Sequence, residues 1–393
     1  MMELILLLGI LIALAFNFAN GMNDAANSIA TVVATRVLTP FQAVLMAAVF
    51  NFVGPLLFTT AVAKTIGKGI VNPPFMTLEV FFIGILIAAI WVFLTTFSGL
   101  PISATHALVG GVMGAAVGAG GLQACSWPSL LTVGTLVIYI IMSALVGGVV
   151  CATIAWMMGE VTWKDYFGLG AVFGSALIVP VLMITGIISI TGILAIVIFI
   201  VFSPLLGFIA AYISTLVVMR FFSKSKLQPM NSVFNRLQVV SAAFYSLNHG
   251  SNDAQNAMGA ITAMLVAAGI LTEFTVPVWV ILISCLAIAA GTFLGGWNVV
   301  KTMAKKITNL RPYQGFCAET GGGIALTFIT SFGVPVSTTH AISGAITGVG
   351  AIHGYAAVQW TVLRRIVTAW ALTIPVTAFS AFILYVMYRY IFL

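Results

Sequence analysis

Nine stretches of this sequence are apolar over about twenty residues each, the length that an α-helix needs to cross the hydrocarbon core of a bilayer. The 393 residues include only 15 Lys and Arg and 8 Asp and Glu, so charged side chains make up 6% of the chain. Soluble domains carry about 25%, which excludes a soluble globular protein. We therefore expect an all-α polytopic membrane protein surrounded by membrane lipid. The nine stretches are 2–20, 40–62, 78–98, 129–158, 166–189, 190–222, 276–300, 314–332 and 361–392.

Four further stretches are apolar but rich in Gly, Ser, Thr and Asn, which favours broken or re-entrant helices over simple spans. Together the stretches predict about 10–12 transmembrane helices and no extramembrane domain, since the longest polar loop, 223–236, has fourteen residues. The four stretches are 21–38, 101–121, 248–270 and 335–355.

The placement of the charges excludes nucleic acid as a partner. The net charge is +7, but the basic residues stand in small groups at the ends of apolar runs, as they do in membrane-flanking loops. The four cysteines form no spacing typical of a zinc site. We therefore expect no cofactor other than a coupling ion.

Two different motifs each occur twice in the same order. Residues 21–27 (GMNDAAN) match residues 250–256 (GSNDAQN) with five identities in seven, at an offset of 229. Residues 100–107 (LPISATHA) match residues 334–341 (VPVSTTHA) with five identities in eight, at an offset of 234. This recurrence predicts a tandem duplication. Its parts are a first half at 1–160, linking transmembrane helices and a cytoplasmic loop at 161–229, and a second half at 230–393.

Loop charges predict that the two halves have opposite orientations in the membrane. The loop after the first motif carries Arg36 in one half and Glu273 in the other. The next loop reverses the bias, with two basic residues in the first half and four in the second. Because excess Lys and Arg marks the cytoplasmic side, equivalent loops lie on opposite sides. An inverted tandem repeat with broken helices is the architecture of secondary transporters, whose substrate site lies near the midplane.

Asp24 and Asp253 are carboxylates that follow about twenty apolar residues, where a charge is costly and indicates function. An Asn three residues later shares the helical face, and such an oxygen-only cluster suits Na⁺ rather than zinc. We expect the helices to break at Gly21 and Gly250 and to free carbonyl groups as further ligands. The alternative is a polar pair that holds two helices together. The predicted Na⁺ ligands are Asn23, Asp24, Asn27, Asn252, Asp253 and Asn256.

Each Pro-x-Ser-x-Thr-His motif predicts a helix that begins at membrane depth, because proline favours the first turn and disfavours helix before it. Free backbone N–H groups and hydroxyls at such an N-terminus can bind an anion, and two facing N-termini could hold a tetrahedral oxyanion. The alternative is ordinary N-capping. We interpret the neighbouring His106, His249 and His340 as packing residues. The predicted anion ligands are Ser103, Ala104, Thr105, Ser337, Thr338 and Thr339.

Glu319 is a third acid within an apolar span, and its counterpart in the first half is Ile85. We expect it to form a further ion position for Na⁺ or a proton. The alternative is a protonated side chain bonded to a backbone carbonyl.

No Lys or Arg lies in or near the motifs, so an anion would enter a site with two carboxylates. Repulsion between unit charges about 6 Å apart is about 3 kcal/mol at an effective dielectric constant of 20. Anion binding therefore requires cations at Asp24 and Asp253 first, which couples the two ligands. The residues favour a cation-coupled anion symporter rather than an enzyme.

The same residues resemble the inorganic phosphate transporter family, the sodium- or proton-coupled phosphate permeases. Residues 248–256 (NHGSNDAQN) fit the family signature, both Pro-x-Ser-x-Thr-His motifs match, and Glu319 matches its acidic residue. The resemblance implies inorganic phosphate as substrate, an inverted repeat with helical hairpins, and a homodimer. Animal members carry Glu where this chain has Asn51, and the short loop 223–236 is typical of a prokaryotic protein of the cell membrane.

Two alternatives stay open at this point. A permease of the same architecture could be coupled to H⁺ or could carry sulfate, because hydroxyls and helix ends bind both tetrahedral anions. An intramembrane aspartyl protease would also use two membrane-embedded aspartates. It would leave both Pro-x-Ser-x-Thr-His motifs without a role, and the Gly-x-Gly-Asp motif of that class is absent from the sequence.

Overall fold

The computed structural model describes residues 2–159, 162–222 and 227–392, and these residues are almost entirely helical. They fall into two compact units: unit one comprises residues 1–126 and 199–393, and unit two comprises residues 127–198. The predicted boundary at 160 and 161 lies outside the described residues. So do residues 223–226 of the predicted loop, whose remainder belongs to a helix.

Unit one contains the helices that carry the repeated motifs. α8 begins in unit two and continues into unit one, and unit two otherwise consists of α6 (Leu130–Met157) and α7 (Trp163–Thr185). The helices of unit one are α1 (Met2–Ala34), α2 (Pro40–Leu57), α3 (Ala61–Lys68), α4 (Leu78–Phe97), α5 (Ala104–Gly120), α8 (Gly192–Phe221), α9 (Leu227–Ala267), α10 (Val278–Leu294), α11 (Trp297–Lys306), α12 (Pro312–Ser331), α13 (Thr338–Ala351) and α14 (Trp360–Phe392).

Seven helices of the described residues are long and apolar enough to cross a membrane, namely α1, α2, α4, α6, α7, α8 and α14. The pair α10 and α11, bent by 68°, makes an eighth candidate. This number is smaller than the 10–12 expected from the sequence. The reason is that α5 and α13 have only 17 and 14 residues, while α9 and α12 carry many polar side chains.

Two helical hairpins form around the Pro-x-Ser-x-Thr-His motifs, as predicted. Hairpin one is α4 and α5 with the turn 98–103, and hairpin two is α12 and α13 with the turn 332–337. A glycine with positive φ follows each first helix, Gly99 at 69° and Gly333 at 68°, a conformation that costs glycine nothing. Ser103 and Ser337 then cap the second helices, because each hydroxyl oxygen accepts a backbone N–H three residues later at 3.2 Å.

The expected breaks at Gly21 and Gly250 are wrong, since α1 and α9 run through both positions without interruption. A Cβ atom on Gly21 would collide with the carbonyl of Ile288 in α10, and one on Gly250 would collide with the backbone of Asn51 in α2. The glycines therefore permit close helix contact and free no carbonyl groups. The breaks lie instead at the hairpin turns and between α10 and α11.

The hairpins pack against helices that lie far from them in sequence. In hairpin one, Gly114 of α5 lies against the backbone of Ala378 in α14; in hairpin two, Gly344 of α13 lies against Pro204 in α8. Small residues allow this backbone approach. Each hairpin is thereby held against a helix that is distant in sequence.

Candidate functional site

The two repeated aspartates meet at one hydroxyl of hairpin two. Asp24 of α1 and Asp253 of α9 are both buried, with 1% of each residue exposed. Oγ1 of Thr338 lies 3.1 Å from Oδ2 of Asp24 and 3.4 Å from Oδ2 of Asp253. The predicted carboxylates and a predicted anion ligand therefore share one site.

Thr339 connects the same site to hairpin one. Its hydroxyl lies 3.1 Å from Oδ1 of Asp24 and 2.9 Å from the carbonyl oxygen of Ile102. The amide of Asn27 donates to Oγ1 of Thr339 at 3.0 Å and lies 3.3 Å from Oγ1 of Thr338. The Asp-x-x-Asn motif of the first half thus contacts the hairpin of the second half.

The reciprocal contact is present in the other half of the repeat. The amide of Asn256 in α9 donates to Oγ1 of Thr105 in hairpin one at 2.9 Å. Each Asp-x-x-Asn motif is therefore bonded to the hairpin of the opposite half.

The two asparagines that precede the aspartates hold the hairpin turns. The amide of Asn23 donates to Oγ1 of Thr96 at 3.0 Å and lies 3.3 Å from the carbonyl oxygen of Leu100. The amide of Asn252 donates to the carbonyl of Val336 and to Oδ1 of Asp253, each at 2.7 Å. These donors fix the turns and leave the amide oxygens to face other groups.

Several buried amide oxygens around the aspartates have no hydrogen-bond partner among the described residues. An unpaired buried acceptor costs about 1–3 kcal/mol, and amide oxygens are good ligands for a hard cation. Asn20 was not predicted from the sequence, although it lies one turn before Asp24 on the same face of α1, and its amide lies 3.3 Å from Oδ2 of Asp253. The unpaired oxygens are Oδ1 of Asn20, Asn23, Asn27 and Asn256.

His249 corrects the expectation of an oxygen-only site. Its Nε2 atom lies 3.6 Å from Oδ2 of Asp24 and 3.4 Å from Oδ2 of Asp253, and the ring is fully buried. The ligand atoms of these three residues all lie within 4.8 Å of one another. The interpretation of His249 as a packing residue is therefore wrong; its position one turn before Asp253 was the available sequence signal.

Hydrogen bonds from two other helices fix the orientation of this ring. The hydroxyl of Thr292 donates to a backbone carbonyl, so it accepts the amide of Asn51 at 2.8 Å. Oδ1 of Asn51 then faces Nδ1 of His249 at 3.0 Å, which places a proton on Nδ1. Nε2 is left to face the two carboxylates, a position in which an imidazole nitrogen can bind either a proton or a cation.

The remaining histidines pack as expected. His106 and His340 are buried with ring centroids 4.9 Å apart, and His340 stacks on Trp370 at 3.8 Å. The indole N–H of Trp370 donates to the carbonyl of Pro101 at 3.2 Å. These contacts position the hairpin turns.

Ser103 and Ser337 serve as N-caps of α5 and α13, a role that both the anion-site prediction and its N-capping alternative allow. Each hydroxyl accepts one backbone N–H and retains its own hydrogen. Ala104, the first residue of α5, is buried beside Ser103. Contact of any of the three with an anion stays a prediction.

Glu319 forms a separate polar cluster. Its carboxylate accepts hydrogen bonds from Thr31 of α1 and Ser241 of α9, and the amide of Gln238 lies 3.3 Å from Oε1. Thr31 follows Asp24 by seven residues, or about 10 Å along the helix. Within the described residues, the hydrogen-bond partners of Glu319 are side-chain donors and include no backbone carbonyl. The third acid is thus buried near the paired aspartates but is not bonded to them.

The chain is similar to phosphate transporters both in sequence and in structure. A model of the phosphate transporter family matches residues 20–167 and 166–381. The "Probable low-affinity inorganic phosphate transporter" of Rhizobium meliloti (strain 1021) is 40% identical over 383 residues, 97% of this chain and 96% of that protein. The protein of the same name in Bacillus subtilis (strain 168) is 35% identical over 100% of both chains. A solved structure described as "The sodium-dependent phosphate transporter" covers 98% of this chain and 99% of its own, with a TM-score of 0.70 and 26% identity.

The comparisons set aside the intramembrane protease, because the relatives are transporters and not enzymes. The seven apolar spans and the bacterial relatives indicate a multi-pass protein of the plasma membrane. The family model matches most of the chain, and the relatives align with it over nearly its whole length. The chain therefore belongs to the phosphate transporter family.

Proposed function

We propose that this protein imports inorganic phosphate by symport with Na⁺. Asp24 and Asp253 bind the cations, and the N-terminal ends of α5 and α13 bind the phosphate. The observation that carries the proposal is the position of Thr338, whose hydroxyl lies between the two carboxylates at 3.1 Å and 3.4 Å. A predicted substrate ligand and two predicted ion ligands thus occupy one buried site.

The hydrogen bonds support a mechanism for the coupling. The hydroxyls of Thr338 and Thr339 face the carboxylate of Asp24. A cation bound to that carboxylate competes with these hydroxyls for its oxygens. The hydroxyl hydrogens can then point to a phosphate oxygen, and the repulsion between carboxylate and phosphate is reduced. Phosphate affinity therefore rises with Na⁺ occupancy, and the reverse holds by linkage.

The reciprocal contacts of the two halves support the inverted repeat that the loop charges predict. Asn27 meets Thr339 and Asn256 meets Thr105 at 3.0 Å and 2.9 Å. Opposed hairpins then close the site from the two faces of the membrane, as alternating access requires.

Coupling to H⁺ is the second candidate, because the imidazole of His249 faces both carboxylates. An imidazole can carry a proton in place of a cation. Na⁺ is favoured by the unpaired amide oxygens around the aspartates and by the sodium dependence in the name of the solved relative.

Uptake of labelled phosphate into proteoliposomes tests the proposal. We expect an inward Na⁺ gradient to accelerate uptake and an excess of sulfate to leave it unchanged. Uptake driven by a pH gradient without Na⁺ would replace Na⁺ by H⁺ as the coupling ion. Inhibition by sulfate would widen the substrate to other oxyanions, and absence of phosphate uptake under both gradients would overturn the proposal.

A further inference from the structure

A polar cavity of about 280 Å³ lies beside the turn of hairpin one. Its walls are the turn 98–101, Thr302 of α11 and the first turns of α14, including Thr361 and Arg365. A cavity needs only about 10–15 Å³ of such volume to hold one water molecule, so a small hydrated anion fits inside. This cavity has no part in the site described above.

Arg365 gives the cavity its charge. No acidic side chain lines it, and among the described residues no carboxylate lies within ion-pair distance of this guanidinium. The hydroxyls of Thr302 and Thr361 lie in the same wall. A guanidinium with neighbouring hydroxyls is a donor set that suits a tetrahedral oxyanion.

A single extended segment separates this cavity from the paired aspartates. Pro101 lines the cavity, while the carbonyl of the next residue, Ile102, accepts the hydroxyl of Thr339 at 2.9 Å. That same hydroxyl lies 3.1 Å from Asp24. Movement of the hairpin-one turn would therefore open the buried site directly into the cavity.

Side-chain hydrogen bonds hold this turn closed. The hydroxyl of Thr302 donates to the carbonyl of Gly99 at 3.0 Å, and the indole of Trp370 donates to Pro101 at 3.2 Å. An equivalent contact holds hairpin two, where the hydroxyl of Thr65 donates to the carbonyl of Gly333 at 2.7 Å. Such hydrogen bonds can break and form again, as a gate requires.

The charges around the cavity indicate the side to which it opens. Arg364 and Arg365 lie in the second turn of α14, and Lys301 precedes Thr302 in α11. An excess of basic residues marks the cytoplasmic side. The cavity therefore lies between hairpin one and the cytoplasm.

We propose that this cavity is a transient oxyanion site, in which Arg365 holds phosphate as it passes between the aspartate site and the cytoplasm. The proposal rests on the proposed function for the direction of phosphate movement. Binding of an oxyanion in the cavity can be tested without transport.

The transport test compares Arg365→Gln with Arg364→Gln, which removes the same charge from the adjacent residue outside the cavity wall. Half-saturating phosphate is measured at each membrane face, in right-side-out and inside-out vesicles. We expect Arg365→Gln to raise the value at the cytoplasmic face about tenfold, the effect of losing one charge-assisted hydrogen bond. The value at the outer face stays the same, Arg365→Lys restores part of the loss, and Arg364→Gln has no effect. Equal behaviour of both Gln variants at the cytoplasmic face would overturn the proposal.

The binding test labels a Val362→Cys variant, at a cavity-lining position that supplies no proposed ligand, with a membrane-impermeant thiol reagent. The parent protein is the control for its own four cysteines. We expect inorganic phosphate to slow labelling of Cys at this position, and we expect Arg365→Gln to abolish that protection. Labelling that phosphate does not change overturns the oxyanion site even if uptake is normal. Protection without uptake would uphold the site and overturn the proposed function instead.

Discussion

The amide nitrogen of Asn256 lies 2.9 Å from the hydroxyl of Thr105, so the Asp-x-x-Asn motif of the second half is bonded to the hairpin of the first half. In the equivalent pair, the amide of Asn27 in the first half donates to the hydroxyl of Thr339 in the hairpin of the second half at 3.0 Å. Because each motif depends on the hairpin of the other half, a single repeat could not form either part of the site. Under the proposed function, an ion bound on α1 or α9 is thereby linked to the position of both hairpins.

Removal of either central carboxylate should abolish coupled uptake. Asp24→Asn and Asp253→Asn keep the shape of the side chain but remove the charge that neutralises a bound cation, so we expect Na⁺-dependent phosphate uptake to fall to the background of empty proteoliposomes. Asp165→Asn, at an exposed position of α7, is the matched control and should transport normally. Normal Na⁺ dependence in either central variant would exclude the proposed ion site. Elution as the parent in size-exclusion chromatography shows that a variant is folded.

The hydroxyls at the hairpin turns should contribute directly to phosphate affinity. Thr339→Ala and Thr105→Ala each remove one donor, and a hydrogen bond to a charged group contributes about 1.5–3 kcal/mol. We expect phosphate binding, measured by calorimetry in saturating Na⁺, to weaken about tenfold or more, with a smaller change in Na⁺ affinity. Thr368→Ala is the control, because its exposed hydroxyl donates only to its own helix. Unchanged affinity in both turn variants would reduce the motifs to helix caps.

Close helix contact at the repeated glycines should contribute to the stability of the folded protein. Gly21→Ala and Gly250→Ala place a methyl group against the backbone of a neighbouring helix, and overpacking of this kind costs about 1–3 kcal/mol. Gly134→Ala in α6 meets no atom within 4 Å and should be neutral or stabilising, since alanine favours helix. The midpoint of thermal unfolding in detergent measures the difference. Equal midpoints for all three variants would contradict the packing role.

The repeated motifs were sufficient to predict the hairpin turns and the two carboxylates. Proline disfavours helix before itself and serine caps the helix after it, so Pro101 and Ser103 define the start of α5 by local chemistry alone. The equivalent residues of the second copy, Pro335 and Ser337, repeat the signal for α13. Local rules and the tertiary fold agree at these positions.

Contacts between distant segments could not be predicted in the same way. Whether α1 breaks at Gly21 depends on the carbonyl of Ile288, which no neighbour of Gly21 in sequence indicates. The role of His249 likewise depends on Asn51 and Thr292, which belong to α2 and α10. The sequence places His249 on the face of Asp253, but only the fold brings Asp24 to the same atom.

The third acid should affect coupling and leave phosphate binding intact. Glu319→Gln retains hydrogen-bonding capacity toward Thr31 and Ser241. Its amide is neutral, however, and can neither take up a proton nor attract a cation as the carboxylate does. We expect reduced net uptake and an altered dependence on Na⁺ or pH, while binding of phosphate to the purified protein persists. Glu273→Gln, an exposed acid in the loop before α10, serves as control. Uptake with the ion stoichiometry of the parent would remove Glu319 from the mechanism.

Orientation of the His249 ring should set the affinity for the coupling cation. Asn51→Leu removes the acceptor of Nδ1, which lies 3.0 Å away, and frees the ring to turn Nε2 from the aspartates. We expect half-saturating Na⁺ to rise about tenfold, as for the loss of roughly 1.4 kcal/mol. Thr292→Val, which breaks only the outer hydrogen bond to Asn51, should shift it less and in the same direction. Asn309→Leu, at an exposed position before α12, should not shift it. If Asn51→Leu binds Na⁺ as the parent does, the imidazole does not contribute to the cation site, and the two carboxylates with their amide neighbours bind the ion without it.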